Sequence, residues 1–380
     1  MRAVVWHRPR KVSVDEVADP KLREATDAII RVTATAICGS DLHLYDHGAT
    51  MMMKPGDILG HEPMGEVLEV GPAVTHISPG DRVVVPFNIS CGSCFMCSRG
   101  MQSQCETTQN LSGRKGGALF GYTHLYGGVP GGQAEYLRVP QAHYGPIPLP
   151  DGVPETAALL LSDVLPTAWQ AVMYADVLPG GTLAVFGLGP IGQMCARIAR
   201  HLGAGPVIGV DRFADRLSLA QQWGAEAVDY SSVDDVTDAV KELTGGRGAD
   251  GVIDAVGMDA DGSFADRFLQ TLKLQPDRMV ALHQALGSCR RGGTVSVVGV
   301  YGGWMPSFPL GDLFDKQITL RWGQANVRRW TDELIKVLQN GDPIGAASLV
   351  THEAPLAQAP EFYESFKKKE PGMVKVVLRP

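Results

Sequence analysis

Four cysteines crowd one short stretch of the chain, with the spacing Cys91-x2-Cys94-x2-Cys97-x7-Cys105. Four thiolates in one loop match the closed tetrahedral shell of a structural Zn²⁺ site. A four-iron cluster is the competing use of such cysteines, but the ferredoxin run has a different last interval and usually a proline after its last cysteine. Glu106 follows Cys105 here. A loop of four unpaired thiols is the other alternative, and the spacing favours zinc.

A glycine pattern follows an apolar run later in the chain, Gly187-Leu188-Gly189-Pro190-Ile191-Gly192. Between a strand and a helix, G-x-G-x-x-G places a dinucleotide pyrophosphate at the helix N-terminus. Asp211 ends the next predicted strand, where a carboxylate accepts from the ribose hydroxyls and repels a 2′-phosphate. The pattern predicts NAD rather than NADP, although the positive charge of Arg212 would attract a 2′-phosphate and so reduce this preference. The alternative is an ordinary strand–helix turn with a solvated Asp211. The predicted cofactor-binding residues are Gly187, Gly189, Pro190, Ile191, Gly192, Asp211 and Arg212.

A thiol and several polar groups precede the cysteine cluster, in Cys38-Gly39-Ser40-Asp41-Leu42-His43 and in Gly60-His61-Glu62. A catalytic zinc takes three protein ligands and keeps a fourth position open. The thiolate of Cys38 and the imidazole of His61 would supply two of these ligands. Composition does not identify the third.

Composition and charge exclude several classes of protein. The chain has 380 residues and a formal charge of −7, and its basic residues form no block beyond Lys367-Lys368-Lys369, which argues against nucleic acid as a partner. No apolar run approaches the roughly 18 residues of a membrane span, and the N-terminus lacks a signal-peptide core. Seven cysteines without a secretory signal indicate a reducing cytoplasm.

The pattern of strands changes along the chain. The first 150 residues contain short strand candidates broken by glycine and proline, which is typical of a β-rich, barrel-like domain. From Thr182 onward, strands alternate with helical periods, as in a doubly wound parallel sheet. A helix over Thr331 to Gln339 and a last strand over Val374 to Leu378 follow, and that strand is placed to return to the first domain.

Taken together, these residues resemble the zinc-containing medium-chain alcohol dehydrogenases over nearly the whole chain. The resemblance rests on the two polar stretches, the cysteine cluster, the glycine pattern and Gly132-Gln133-Ala134-Glu135-Tyr136. Within this family the run Leu161-Ser162-Asp163-Val164-Leu165-Pro166-Thr167 is most similar to the formaldehyde dehydrogenase branch, which includes formaldehyde dismutases. Many relatives carry a second cysteine ligand where this chain has Asp163.

The resemblance implies an α/β fold with a GroES-like β-rich catalytic domain and a Rossmann coenzyme domain. The implied boundaries are 1–163 for the catalytic domain with its structural zinc lobe 91–105, 164–307 for the NAD-binding domain, and 308–380 for the return to the catalytic domain. Residues 258–292 form an insertion. In the formaldehyde branch such loops enclose NAD, while a surface helix or a subunit contact is the alternative.

The resemblance also implies the ligands of a catalytic zinc, which are Cys38, His61 and Asp163, with Glu62 beside them either as an alternating ligand or as a residue that contacts the ligands. The alternative for Asp163 is a helix N-cap ahead of Pro166. The implied cofactors are therefore two Zn²⁺ per chain and NAD. Phe87 and Trp169 would each line the substrate pocket or belong to the core. Lys375 would lie near the pyrophosphate or be a solvated strand lysine.

The chemistry follows from the open zinc position. Zinc lowers the pKa of a bound hydroxyl toward neutrality, and the resulting zinc-bound alkoxide transfers hydride to NAD. By resemblance, Ser40 takes the substrate proton and passes it through the cofactor ribose to His43, the general base. A surface loop histidine is the alternative for His43. Asp41 is expected to hold the zinc region through hydrogen bonds.

The sequence therefore favours a zinc-dependent NAD oxidoreductase acting on a small alcohol or a hydrated aldehyde, with formaldehyde oxidised to formate. The alternatives are a formaldehyde dismutase that retains NAD, a general primary or secondary alcohol dehydrogenase, and a non-catalytic zinc- and NAD-binding protein. Relatives are dimers or tetramers, so a homo-oligomer is implied, with a tetramer favoured.

Overall fold

The structure is a computed structural model that describes residues 1–48, 52–110, 115–149, 151–257, 279–301 and 308–380. The chain divides into two compact units, Met1–Pro166 with Ala325–Pro380, and Thr167–Gln324.

The strands, in chain order, are β1 (Arg2–Arg8), β2 (Lys11–Glu16), β3 (Ala28–Ile37), β4 (Asp57–Ile58), β5 (Pro63–Val70), β6 (Arg82–Val84), β7 (Tyr136–Val139), β8 (Ile147–Pro148), β9 (Leu183–Phe186), β10 (Val207–Asp211), β11 (Glu226–Asp229), β12 (Ala249–Asp254), β13 (Cys289–Val297), β14 (Thr319–Trp322), β15 (His352–Pro355) and β16 (Val376–Arg379). The α-helices span Gly39–His47, Glu155–Leu159, Val164–Ala175, Pro190–His201, Ala214–Gln222, Val236–Leu243, Val280–Ser288, Leu310–Asp315, Val327–Gln339 and Ala359–Lys367.

The first unit is built from two β-sheets. One has the order β2-β1-β4, and the other runs β15-β16-β3-β5-β6-β8 with β7 also paired to β3. The last strand, β16, lies antiparallel to β3, with Val376 opposite Ile37. This pairing brings the C-terminal residues beside the start of the helix Gly39–His47, which follows β3 directly.

The second unit contains one parallel sheet of order β11-β10-β9-β12-β13-β14. Its central strand β9 is a continuous apolar run with all four residues buried, as expected when helices cover both faces. The strand order reverses between β9 and β12, and ligands of such sheets bind at the carboxyl ends of the strands beside this reversal. The glycine pattern begins immediately after β9.

The predicted fold class, a β-rich domain joined to a doubly wound parallel sheet, is confirmed. The second unit extends to Gln324, whereas the sequence placed the return of the chain at residue 308. The physical reason is β14, which pairs in parallel with β13 and so belongs to that sheet. The helix predicted from Thr331 begins earlier, at Val327.

Residues 258–278 of the predicted insertion lie outside the described residues. Its remaining part contains the helix Val280–Ser288, whose Leu282, Ala285 and Leu286 are buried in the core of the second unit. Within the described ranges, every helix falls short of the length and apolar character that a bilayer crossing demands.

Candidate functional site

Four side chains that could bind a metal ion, from three separate parts of the sequence, meet in the first unit. Ligand atoms of Cys38, His61, Glu62 and Asp163 all lie within 4.8 Å of one another. The Sγ of Cys38 is 3.6 Å, and the Nε2 of His61 is 3.3 Å, from the Oδ2 of Asp163. The structure thus brings together the three ligands and the alternating ligand that the resemblance implied.

Local structure explains how each of these side chains reaches the cluster. Cys38 stands between β3 and the helix Gly39–His47, while His61 and Glu62 immediately precede β5. Asp163 precedes the helix Val164–Ala175, as its capping alternative requires, yet its carboxylate also faces Cys38 and His61.

The orientation of the His61 ring is fixed by Asp41. The Nδ1 of His61 lies 3.1 Å from one carboxylate oxygen of Asp41, and the backbone N–H of Cys38 donates to the other at 3.0 Å. A metal-binding histidine usually gives its second N–H to a carboxylate in this way. The expectation that Asp41 holds this region through hydrogen bonds agrees with the geometry.

Buried carboxylates also decide the electrostatics of His61. Burial alone would lower the pKa of the imidazole, but the charge of Asp41 and hydrogen bonds with Asp163 and Asp41 raise that pKa well above its ordinary value. The ring therefore lies in a strongly negative environment, which is one that attracts a cation.

The predicted proton-transfer residues lie on the first turn and a half of one helix. The hydroxyl oxygen of Ser40 is 3.4 Å from the Nε2 of His61, so it borders the ligand cluster. His43 is half-buried and lies three residues further along the helix Gly39–His47, on the same face as Ser40.

Glu62 forms a buried ion pair that the sequence did not reveal. The ammonium group of Lys375 lies 2.6 Å from both carboxylate oxygens of Glu62, and both side chains are fully buried. Burial raises the pKa of Glu62, and the charge of Lys375 opposes that rise. The solvated alternative for Lys375 is therefore wrong. Its signal in the sequence was a lysine inside the apolar run Met373-Val374-Lys375-Val376-Val377.

The donor set of the cluster fits Zn²⁺. Thiolate sulfur, imidazole nitrogen and carboxylate oxygen are the protein ligands of catalytic zinc sites. Burial and the charges of Glu62 and Asp163 raise the pKa of the Cys38 thiol. A dication at this position would offset that concentration of negative charge and stabilise the thiolate.

The second cluster lies within one lobe, and its ligands are Cys91, Cys94, Cys97 and Cys105. Backbone N–H groups donate to sulfur, from Cys91 to Cys105, from Cys94 to Cys91 and from Glu106 to Cys94, each at 3.4 Å. Burial raises the pKa of Cys91, but hydrogen bonds from Thr107 and neighbouring N–H groups outweigh it and lower that pKa to about 6. Burial and Cys94 raise the pKa of Cys97. A dication is what would allow all four groups to be thiolates.

Phe87 and Trp169 are the two aromatic residues expected either to line a substrate pocket or to belong to the core. The ring of Phe87 stands edge-on to that of His61, with centroids 6.2 Å apart, so Phe87 borders the mixed cluster. Trp169 is buried and belongs to the second unit.

The glycine pattern of the second unit forms the turn between β9 and the helix Pro190–His201. A Cβ on Gly192 would lie 1.8 Å from the carbonyl oxygen of Gly187, so only glycine allows this helix to pack so closely. At Gly189 the nearest atom would be an arginine nitrogen 4.0 Å away, which leaves space for a ligand against the backbone. Proline at the first helical position, Pro190, leaves the helix N-terminus preorganised, and Ile191 follows it.

Asp211 is buried at the end of β10 and organises the glycine turn. It accepts from the backbone N–H of Leu188 at 2.7 Å and from that of Arg212 at 2.7 Å. The guanidinium of Arg212 lies over the ring of Phe213 and is exposed. A second guanidinium, that of Arg216, is 3.9 Å from the Asp211 carboxylate. Arg216 was not predicted from the sequence, because no pattern distinguishes it from other helical arginines.

Comparison with known proteins agrees with this geometry. The family model of the alcohol dehydrogenase GroES-like domain matches residues 24–151, and that of the zinc-binding dehydrogenase matches residues 190–274. The zinc-type alcohol dehydrogenase-like protein AdhB of Bacillus subtilis is 41% identical, with both chains covered completely. Formaldehyde dismutase of Pseudomonas putida is 33% identical over all of this chain and 97% of its own.

Among solved structures, the alcohol dehydrogenase TADH from Thermus sp. ATN1 matches with a TM-score of 0.83. It is 36% identical and the match covers 100% of this chain and 99% of TADH. Family models, relatives of full length and the ligand clusters all point in one direction. The chain belongs to the zinc-dependent medium-chain alcohol dehydrogenase family.

Proposed function

We propose that this protein is a zinc-dependent oxidoreductase that uses NAD to oxidise a small alcohol or a hydrated aldehyde, with formaldehyde converted to formate. The observation that carries this proposal is the mixed ligand set of Cys38, His61 and Asp163, whose donor atoms converge within 4.8 Å. A structural site would be closed by cysteines or histidines, whereas three protein ligands leave a position for substrate.

Zn²⁺ held by these residues supplies a Lewis acid that brings the pKa of a substrate hydroxyl toward 7. Ser40, beside the Nε2 of His61, receives the proton that the substrate hydroxyl gives up. His43, on the same helix face, is the general base that passes this proton to water.

Glu62 has a separate role in this proposal. Lys375 holds the Glu62 carboxylate 4.0 Å from the Nε2 of His61. At this distance Glu62 can take the place of a ligand that leaves the zinc. When Glu62 does not bind the zinc, its charge stays paired with Lys375. The four-cysteine cluster holds the second, structural Zn²⁺ of the chain, because four thiolates leave no open position.

NAD is the proposed cofactor rather than NADP. The carboxylate of Asp211, at the end of β10, would accept hydrogen bonds from the adenosine ribose and repel a 2′-phosphate. The glycine turn after β9 and the helix at Pro190 would hold the pyrophosphate. Arg212 and Arg216 reduce the strength of this preference, since both stand near Asp211.

Formaldehyde is proposed because its hydrate is a gem-diol. One hydroxyl gives up its proton and the same carbon gives up hydride, so the product is formate and glutathione is not needed. The run Leu161–Thr167 and the similarity to a formaldehyde dismutase support this choice.

Dismutation is the second candidate, and the Pseudomonas putida relative favours it. In that reaction NADH stays bound and reduces a second formaldehyde to methanol, with the same residues. General alcohol oxidation is the third, because AdhB and TADH are named as alcohol dehydrogenases.

We propose a homo-oligomer, with a tetramer favoured over a dimer, in a reducing cytoplasm. None of the seven cysteines, all of which lie in the described residues, forms a disulfide, and this supports the compartment. The net charge of −7 supports small molecules rather than nucleic acid as partners.

Proton NMR of the products formed from formaldehyde, with and without added NAD and without glutathione, tests the proposal. Formate with stoichiometric NADH, only when NAD is added, is the expected result. Equal formate and methanol without added NAD would identify a dismutase. If neither product forms, the formaldehyde proposal fails, and turnover of primary and secondary alcohols then separates a general dehydrogenase from a non-catalytic protein.

A further inference from the structure

A buried chain of hydrogen bonds connects His61 to the C-terminal helix Ala359–Lys367. The hydroxyl of Tyr363 donates to the Oε1 of Gln133 at 2.8 Å. The Nε2 of Gln133 lies 3.4 Å from Asp41 Oδ2 and donates to the carbonyl of Ala36 at 3.1 Å. Tyr363, Gln133 and Asp41 are all fully buried.

The donors in this chain have one consistent direction. Burial raises the pKa of Tyr363 well above its usual value, and the charge of Asp41 adds to this, so the phenol keeps its proton and donates. If the amide of Gln133 were reversed, its oxygen would face the Ala36 carbonyl and the Asp41 carboxylate, which are both acceptors. The hydroxyl of Tyr363 therefore holds the amide with its N–H groups toward Asp41.

This arrangement divides the two oxygens of Asp41 between different donors. Oδ2 receives the N–H of Cys38 and faces the amide of Gln133, which leaves Oδ1 for the Nδ1 of His61. The Nδ1 of His61 therefore faces Asp41 at 3.1 Å, and its Nε2 faces Asp163 at 3.3 Å.

Gln133 also contacts the backbone that carries His61. Its N–H donates to the carbonyl of Leu59 at 3.0 Å. Gly60 has a φ of +97°, and a Cβ there would lie 2.6 Å from the backbone nitrogen of Gln133. One residue thus constrains both the loop and the side chain of the histidine.

We propose that Gln133 and Tyr363 are positioning residues for the metal-binding face of His61. They act through Asp41, which contacts both Cys38 and His61, and this inference rests on the proposed zinc site. Removing a group that orients a metal-binding histidine costs about 10- to 100-fold in metal affinity. A merely structural role would lower thermal stability and leave the affinity unchanged.

Two variants and a matched control test the proposal. Tyr363→Phe keeps the ring and removes the donor, while Gln133→Met keeps the length and removes the amide. Tyr45→Phe is the control, because Tyr45 packs against the ring of Tyr363, at 5.5 Å between centroids, in the same apolar cluster.

The measurement is the Zn²⁺ affinity of the mixed site, by chelator competition with metal analysis, together with the visible spectrum after Co²⁺ replaces the zinc of this site. Both variants are expected to bind Zn²⁺ about tenfold more weakly and to shift the Co²⁺ bands, while the four-cysteine zinc is retained. Tyr45→Phe is expected to change neither readout.

Unchanged affinity and Co²⁺ bands in Tyr363→Phe would overturn the inference, whatever happens to the melting temperature; this variant decides the matter if Gln133→Met does not fold. Failure of the zinc site itself is distinguishable, because the unmodified protein would then bind no metal beyond the four-cysteine site.

Discussion

The two ligand clusters of the first unit differ in how they are assembled. The four-cysteine cluster is local, since every ligand comes from one lobe and backbone N–H groups of that lobe donate to its sulfurs. The mixed cluster draws Cys38, His61 and Asp163 from separate segments and depends on buried charged partners. The local cluster offers four sulfur ligands, whereas the mixed cluster combines sulfur, nitrogen and oxygen ligands with buried charged partners.

We therefore expect mutations in the two clusters to affect different properties, folding in one case and catalysis in the other. Loss of the local cluster should damage folding, because the free energy of metal binding at a structural site contributes directly to the free energy of folding. Loss of a ligand in the mixed cluster should damage chemistry, because the sheet strands that carry it are held by their own hydrogen bonds.

The largest effect is expected for Asp163→Ala. The mixed site should lose its zinc while the four-cysteine zinc stays, so metal analysis should give one Zn²⁺ per chain instead of two. The specificity constant kcat/KM should fall by about 10⁴-fold or more, because the substrate hydroxyl regains its aqueous pKa. Asp163→Cys is the matched control, since it restores a ligand. Two zinc ions in the alanine variant would show that Asp163 is not a ligand.

Cys105→Ser should have the next largest effect, on stability rather than chemistry. Cys105 is fully buried and accepts the N–H of Cys91, so the variant loses the structural zinc and that hydrogen bond. We expect a loss of about 4 kcal/mol in the free energy of unfolding, measured in urea. The folded fraction should keep the zinc of the mixed site. An unchanged unfolding midpoint would contradict the assignment.

The same contrast explains what the sequence could predict. The cysteine spacing and the glycine pattern are short, so they were found without any knowledge of the fold. The pairs Glu62–Lys375 and Gln133–Tyr363 are separated by 313 and 230 positions. They meet because β16 pairs with β3 and the helix before β16 returns to the same unit. No local pattern encodes a partner so far away in the sequence. Asp163 was identified only through the family resemblance.

The end of the second unit is another feature that no local pattern encodes. The sequence has a strand-like run at Ile318–Trp322, but the apolar pattern of this run does not say which sheet it joins. Only its register with β13, Val295 opposite Leu320, assigns it to the parallel sheet.

Lys375→Met tests whether an unpaired buried charge in the mixed cluster lowers the free energy of unfolding. The substitution leaves Glu62 buried without its cation, and we expect the free energy of unfolding to fall by about 3 kcal/mol. Adding Glu62→Gln should recover most of that loss, because the uncompensated charge is then removed. A double-mutant cycle in urea measures this coupling. If the double variant is as unstable as Lys375→Met, Lys375 acts through packing and not through Glu62.

The smallest effect is expected from a change that lies in neither cluster. Asp211→Gly should leave two Zn²⁺ per chain and reduce the preference for NAD over NADP by about tenfold, or ~1.4 kcal/mol. The carboxylate no longer repels a 2′-phosphate, and Arg212 and Arg216 stand nearby to attract one. Initial rates with each cofactor measure the ratio.

Asp229→Gly is the matched control, because Asp229 ends the neighbouring strand in register with Asp211. Its selectivity should equal that of the unmodified protein. Equal selectivity in both variants would refute the role of Asp211 while leaving the metal clusters untouched. A loss of zinc in Asp211→Gly would instead show that the cofactor turn and the mixed cluster are energetically coupled, so that metal binding in the first unit does not depend on that unit alone.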